Sequence, residues 1–205
     1  FMKIISILSI LLFCLTAGCA QHGQHNIQEG YSKTILPDNS SYEGEFSNGL
    51  FNGKGRIIRN NGDKFIGHFK DGLLNGYGEY YSKNGYTYKG QYKDGLAHGK
   101  GISESADGRR YEGDFVTDMR DGEGILIEPG LGRYEGQFRK DKPDGKGTFT
   151  FLNGNKYEGE FKYGMRHGNG LCISGNLATR CTFKNNKMVR HEKPKDLYKS
   201  SLTSI

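Results

Sequence analysis

The chain has 205 residues, with 32 glycines, 13 tyrosines, 12 phenylalanines and no tryptophan, and its formal charge is +6. So much glycine in so polar a chain excludes a thick globular core and favours a single glycine-punctuated sheet with aromatics on one face. Residues 20–183 carry 22 Lys/Arg against 21 Asp/Glu, and residues 184–205 carry six against two, so the long central region has no basic stripe and nucleic acid is not an expected partner.

Phe1 stands before Met2, the expected start. Lys3, the apolar run Ile4–Leu15 and the small residues after it make a secretory signal over residues 1–18, too short to span a bilayer. Leu15-Thr16-Ala17-Gly18-Cys19 resembles the lipobox of bacterial lipoproteins. That resemblance implies cleavage before Cys19 and a lipid, palmitate among its acyl chains, on the cysteine. An ordinary cleaved signal with a stray cysteine is the plainer alternative. Ala20 follows where inner-membrane lipoproteins usually have Asp, so the resemblance favours the outer membrane, on its periplasmic or surface face. Residues 19–30 then form a polar tether. Its His22 and His25 have no further ligand nearby to complete a metal site, and neither a metal nor a cofactor is expected.

Tyr31–Leu36 resembles a lone strand, and Pro37-Asp38-Asn39 turns it into the main array, so this segment is expected to act as a cap. From Tyr42 one frame recurs every 23 residues: an aromatic at position 0, Gly at +2, an aromatic at +4, and Gly at +7, +11 and +13. The position-0 residues are Tyr42, Phe65, Tyr88, Tyr111, Tyr134 and Tyr157. A fixed period of this length signals stacked repeats. Alternate positions share a strand face, so the two aromatics of a repeat flank a glycine gap. The glycines from +7 to +13 mark a turn, and Asp118 and Asp141, which replace the +7 glycine, tolerate the left-handed region. A second strand follows. It ends in Asn61-Gly62, Asn84-Gly85, Asp107-Gly108 or Asn153-Gly154, which predicts two-residue primed turns between repeats.

A degraded seventh repeat places Thr179, Cys181 and Phe183 one residue early in the frame, closing an array expected over residues 31–183. From Lys184 the pattern stops, and residues 184–205 read as a loosely attached basic tail, either a solvated end or a contact for anionic lipid. If Ser174 pairs with Thr179 around a four-residue loop, Cys172 falls directly opposite Cys181. An exported chain could then bridge them, the alternative being two free thiols.

The frame resembles the MORN (membrane occupation and recognition nexus) repeat, most clearly in Tyr42–Gly55, Tyr88–Gly101 and Tyr157–Gly170. The resemblance implies an all-β chain, an elongated single antiparallel sheet of stacked hairpins with a shallow groove lined by repeat aromatics. It implies scaffolding of protein contacts or self-association, and less securely lipid binding. Kinase and methyltransferase domains accompany such repeats elsewhere, but no segment outside the array is long enough to be one.

Several side chains could suggest chemistry. His98 and His167 share +10 with Asn52, Asn75, Asp121 and Asp144, and are expected to stabilise turns. Glu43/Glu45, Glu112/Asp114 and Glu158/Glu160 could pair as glycosidase acids or calcium ligands, but they alternate with the aromatics and are expected on an exposed polar face. No serine or cysteine has a catalytic partner at interpretable spacing, so no catalytic residue is assigned. Tyr42, Phe65, Tyr88, Tyr111, Tyr134 and Tyr157 are expected to line the binding groove, with Phe46, Phe69, Tyr92, Phe115, Phe138 and Phe161 mostly buried, the plainer alternative being that both rows only stack and hold the sheet. The leading expectation is a non-enzymatic envelope lipoprotein, anchored at Cys19, that scaffolds an unidentified protein or a second copy of itself. Direct binding to anionic phospholipid is the alternative, and a hydrolase or carbohydrate-active enzyme is a distant third.

Overall fold

The computed structural model describes residues 28–192. The expected signal, Cys19, the tether histidines and residues 193–205 of the tail lie outside them. The strands are β1 (Gly30–Ile35), β2 (Ser41–Ser47), β3 (Leu50–Ile58), β4 (Lys64–Lys70), β5 (Leu73–Tyr81), β6 (Thr87–Lys93), β7 (Leu96–Glu104) and β8 (Arg110–Val116), then β9 (Met119–Glu128), β10 (Gly132–Arg139), β11 (Lys142–Phe151), β12 (Lys156–Lys162), β13 (Met165–Ser174), β14 (Leu177–Lys184) and β15 (Lys187–His191). They form one open antiparallel sheet whose strand order is chain order, and the described residues contain no helix. The chain divides into two compact units. One holds the residues up to Ala106 with Phe115–Asp118, the other Asp107–Asp114 with the residues from Met119 on.

Turn chemistry differs from the sequence expectation in an instructive way. The two-residue primed turns lie inside the repeats, at +6 and +7, where both residues take positive φ: Asn48-Gly49 (51° and 74°), Asp71-Gly72 (50° and 85°) and Asp94-Gly95 (51° and 79°) in the first unit. Between repeats, Asn61-Gly62 and Asn84-Gly85 are not primed turns. They belong to three-residue loops: Gly62 N donates to Arg59 O at 2.9 Å, and Arg59 N donates to Asp63 O at 2.8 Å. Only the glycine is left-handed there, as in a type I turn followed by a bulge. Asn61 stays right-handed because its Oδ1 is engaged, accepting Asp63 N at 3.0 Å. The same loop, with Asn39 in the glycine role, joins β1 to β2.

Within each repeat the second strand carries two extra residues. Phe46 faces Phe51, but Gly44 faces Gly55, so the ladder shifts register between them. The extra residues bulge at Gly53, which holds a φ of 64°. Lys54 N, left without a ladder partner by the bulge, donates to Glu45 Oε1 at 3.0 Å. Asp114 caps Glu123 N and Gln137 caps Lys146 N in the same way in the second unit. Glu45 and Asp114, one residue from each of two carboxylate pairs, therefore have a structural task.

The C-terminal end corrects two expectations. Ser174 pairs with Leu177, not Thr179, around the two-residue turn Gly175-Asn176. Only Gly175 has positive φ, as a type II′ turn requires. This loop is one residue shorter than the three-residue loops, which is why the seventh frame starts one residue early at Thr179. Nor does the pattern stop at Lys184. Asn185-Asn186 form another double left-handed turn (51° and 65°), and β15 pairs back on β14. Asparagine, one of the few residues that tolerates this region, stands in for glycine there.

Candidate functional site

The position-0 aromatics do not line an open groove. Tyr42 and Tyr88 are 0% exposed, and Phe65, Tyr111, Tyr134 and Tyr157 are 2% or less. They are more deeply buried than the +4 row, which was expected to lie buried behind them. For the five tyrosines the cause is the pair of glycines they face, whereas Phe65 stacks on Tyr80 at 4.6 Å. The Tyr42 ring lies flat across the sheet over Gly44 and Gly55, where added Cβ atoms would meet its hydroxyl oxygen at 2.5 and 2.4 Å. Tyr88, Tyr111, Tyr134 and Tyr157 lie over their own glycine pairs in the same way. Each hydroxyl then reaches a backbone carbonyl three residues on: Tyr42 donates to Glu45 O and Tyr88 to Gln91 O, both at 2.8 Å, and Tyr111 to Asp114 O at 2.9 Å. Burial pushes the Tyr42 phenol up to about 12, helped by the Glu45 charge, and raises the other four as well. Edge-on contacts to the +4 ring of the same repeat and of the next complete the cover, at 5.0 and 5.4 Å for Tyr42 against Phe46 and Phe69.

The 23-residue frame that carries these rings recurs through residues 42–64, 65–85, 88–109, 111–127, 134–156 and 157–178, each of which matches the MORN repeat. The chain belongs to the MORN-repeat family. MORN repeats are commonly involved in protein or membrane interactions. A comparison with curated proteins finds no match. Among solved structures, the chain resembles the TCP domain of Drosophila melanogaster SAS-4 (dCPAP), solved with a proline-rich motif of Ana2 (dSTIL). Identity is 13% and the TM-score 0.43, over 82% of this chain and 98% of that one.

The MORN frame hid one further position, +9, which pairs with the +4 aromatic across the primed turn. Phe51 stacks on Tyr42 at 3.8 Å, and Leu74 and Ala97 are fully buried at the same place. In the second unit the +9 residue is twice an arginine. Arg120 lies 5.5 Å from the Tyr111 ring and 5.7 Å from Phe138. Arg166 lies 4.2 Å from the Phe183 ring, 5.4 Å from Phe151 and 5.9 Å from Tyr157. Reading +4 and +9 as a cross-strand pair would have found these residues, had the turn been placed at +6 and +7.

The +7 residue does more than tolerate its backbone angle. In every MORN repeat after the first its N–H donates to the preceding +9 carbonyl, as Gly95 N does to Leu74 O at 2.9 Å and Asp118 N to Ala97 O at 3.0 Å. Where it is Asp or Asn, its side chain also caps the +9 N–H: Ala97 N to Asp118 Oδ1 at 2.7 Å, Arg120 N to Asp141 Oδ1 at 3.0 Å and Arg166 N to Asn186 Oδ1 at 2.8 Å. The +10 residues act on the turn of the following repeat. Asp121 accepts Lys140 N, Asp144 accepts Tyr163 N, and His167 Nδ1 lies 3.3 Å from Asn185 Oδ1.

On the opposite face Glu43 pairs with Arg56 and accepts the Tyr31 hydroxyl, and these bonds, Arg56's first, hold its carboxyl below the usual range. Glu112 pairs with Arg110. Among the described residues no group of His, Cys, Asp and Glu is placed to hold a metal. Cys172 and Cys181 are bridged, with Cα atoms 6.0 Å apart. They are not directly opposite each other. Cys172 faces Thr179 and Cys181 faces Gly170, so the bridge runs diagonally. Cys181 occupies the +2 glycine position, and Thr179 replaces the aromatic that would have covered it, so the disulfide fills the space a tyrosine ring fills elsewhere.

Proposed function

We propose that this chain is a non-enzymatic lipoprotein of the bacterial envelope, anchored through Cys19, whose MORN array scaffolds contacts with another protein or a second copy of itself. The anchor rests on the lipobox-like Leu15–Cys19, and outer-membrane placement on Ala20. The observation that carries the scaffold reading is where the apolar side chains are spent. The aromatic face closes over itself ring upon glycine, while on the other face Ile66 and Tyr77 of the first unit stand 43% and 51% exposed. Exposed apolar side chains on a rigid sheet are what a protein partner covers. The reading as a non-enzyme is supported by the tasks of the polar groups. The hydroxyls, carboxylates and imidazole described above bond to backbone groups, arginines or turn side chains, holding the sheet together. The alternative, lying on anionic phospholipid, draws on Lys187 and Arg190 of the exposed edge strand β15 and on the basic residues beyond it.

Liposome flotation decides between the two. The Cys19→Ser chain, with and without residues 193–205, is spun with neutral and anionic vesicles at physiological salt. The scaffold reading expects no flotation of either form. Flotation with anionic vesicles alone replaces it with the membrane reading. Labelled palmitate should enter the unaltered chain in a bacterial host and be absent from Cys19→Ser. Equal labelling of both removes the anchor.

A further inference from the structure

Arg120 and Arg166 occupy the same position of two repeats, rest on the same kind of aromatic floor, and differ in one respect. Arg120 has a counter-ion: Asp141, the +7 residue of the next repeat, caps its backbone N–H and lies 3.3 Å from its Nε, while the Asp141 carbonyl accepts its terminal nitrogen at 2.7 Å. The residue placed to do this for Arg166 is Asn186. It caps the Arg166 backbone N–H at 2.8 Å but carries no charge. Among the described residues no carboxylate pairs with the Arg166 guanidinium, whose contacts are the faces of Phe183, Phe151 and Tyr157. Burial against those rings lowers its pKa from the usual arginine range. A guanidinium held on rings keeps its N–H fork pre-oriented and partly stripped of water, which favours a planar two-oxygen acceptor. Beside it, Phe149 and Phe151 pack edge to face at 4.8 Å and are only half-buried, a departure from the closed aromatic rows elsewhere.

We propose that Arg166 with Phe149 and Phe151 forms a recognition site for an acidic peptide segment, an Asp or Glu carboxylate taking the place Asp141 has at Arg120 and an adjacent apolar side chain covering the two phenylalanines. A single cation favours a singly charged carboxylate over a phosphate dianion, which arginine clusters serve better. The proposal rests on the reading of the array as a protein-binding scaffold and names the chemistry of the segment it holds.

The test uses the full chain and follows the Arg166 Nε–H resonance by NMR while acetyl-Asp-Phe-amide, acetyl-Asn-Phe-amide or inorganic phosphate is added. Saturable shifts with the Asp probe, at least about tenfold weaker with the Asn probe, are expected for one charge-assisted bidentate contact. The Arg120 Nε–H, already paired, should stay still. Asn186→Asp, which copies the Arg120–Asp141 arrangement and so is compatible with the fold, should abolish the response, as should Arg166→Gln monitored through Phe149 and Phe151. Equal binding of the two peptides, or undiminished binding by Asn186→Asp, overturns the proposal. Tighter binding of phosphate than of the Asp probe overturns it in favour of a phosphate site. Failure of both peptides in a chain that also does not float on lipid overturns this site and leaves the scaffold reading standing.

Discussion

The Tyr42 ring lies across Gly55 on the neighbouring strand so closely that a methyl group on that glycine would sit 2.4 Å from the tyrosine hydroxyl oxygen and 2.7 Å from the ring carbons. Gly55 has no left-handed backbone to explain it, so its role is space alone. Gly55→Ala should therefore cost about 2–4 kcal/mol, the range of overpacking with loss of a buried ring position. Gly154 is the opposite case, with φ at 82° and nothing within 4 Å of an added methyl. Gly154→Ala should cost only about 1 kcal/mol, from backbone strain. Urea unfolding of the two variants gives the comparison; equal losses would sink the view that the +13 glycines are ring seats.

Asp118 caps Ala97 N–H with a carboxylate that burial pushes up from its ordinary value, the bond to Ala97 opposing the shift. A carboxyl raised on folding contributes most when protonated and loses that contribution as pH rises through its folded titration. Asn186 shows that an amide fills the same role without charge. Asp118→Asn should match or exceed the parent at neutral pH, the difference shrinking as pH falls. Asp118→Ala, which removes the cap and puts a residue less tolerant of the left-handed region at a φ of 65°, should lose about 2–3 kcal/mol. Thermal unfolding at pH 7 and pH 4 separates the three proteins.

Tyr92 stands in the +4 row, where every other MORN repeat of this chain has phenylalanine. Its hydroxyl is buried and finds no partner among the described residues. Leaving a buried polar group unpaired costs about 1–3 kcal/mol, and replacing it by an apolar shape recovers part of that. Tyr92→Phe should raise stability by about 1 kcal/mol, seen as a higher urea midpoint with an unchanged slope. A loss of stability would mean that the hydroxyl is satisfied in solution.

What the sequence showed and what it hid follow from which interactions are local. The 23-residue period, strand alternation and glycine positions all report backbone geometry that each repeat repeats, so the sheet could be read directly. The primed turns were misplaced because in the first three repeats Asn-Gly or Asp-Gly also occurs inside the repeat, at Asn48-Gly49, Asp71-Gly72 and Asp94-Gly95. Asn61-Gly62 and Asp71-Gly72 look alike in sequence, but the first sits in a three-residue loop between Arg59 and Asp63 and the second is the whole turn between Lys70 and Leu73. The aromatic row was misjudged because an absent second layer was taken to mean exposure. A tyrosine beside two glycines can lie down and bury itself, and nothing in the spacing distinguishes a ring standing up from one lying flat. Arg166 stayed hidden because its interest depends on Asn186, twenty residues away, being uncharged.

Burial holds the Tyr42 phenol neutral, raising it from 10.0 to about 12, and raises Tyr88, Tyr111, Tyr134 and Tyr157 in the same direction. A phenol with a raised folded pKa binds its proton more tightly folded than unfolded. Its contribution to stability is intact below pH 10 and is lost as pH rises through 12. With five such rings in series, alkaline unfolding should be steep in this window, and tyrosinate absorbance at 295 nm from these rings should appear together with the loss of the sheet's circular dichroism. Tyr88→Phe keeps the ring over Gly90 and Gly101 but removes one titrating phenol and its bond to Gln91 O. It should lower stability at pH 7 by about 1 kcal/mol and lose less than the parent as pH rises above 10. If the buried tyrosines ionise well before the circular dichroism changes, the rings are open to solvent and the closed aromatic face is wrong.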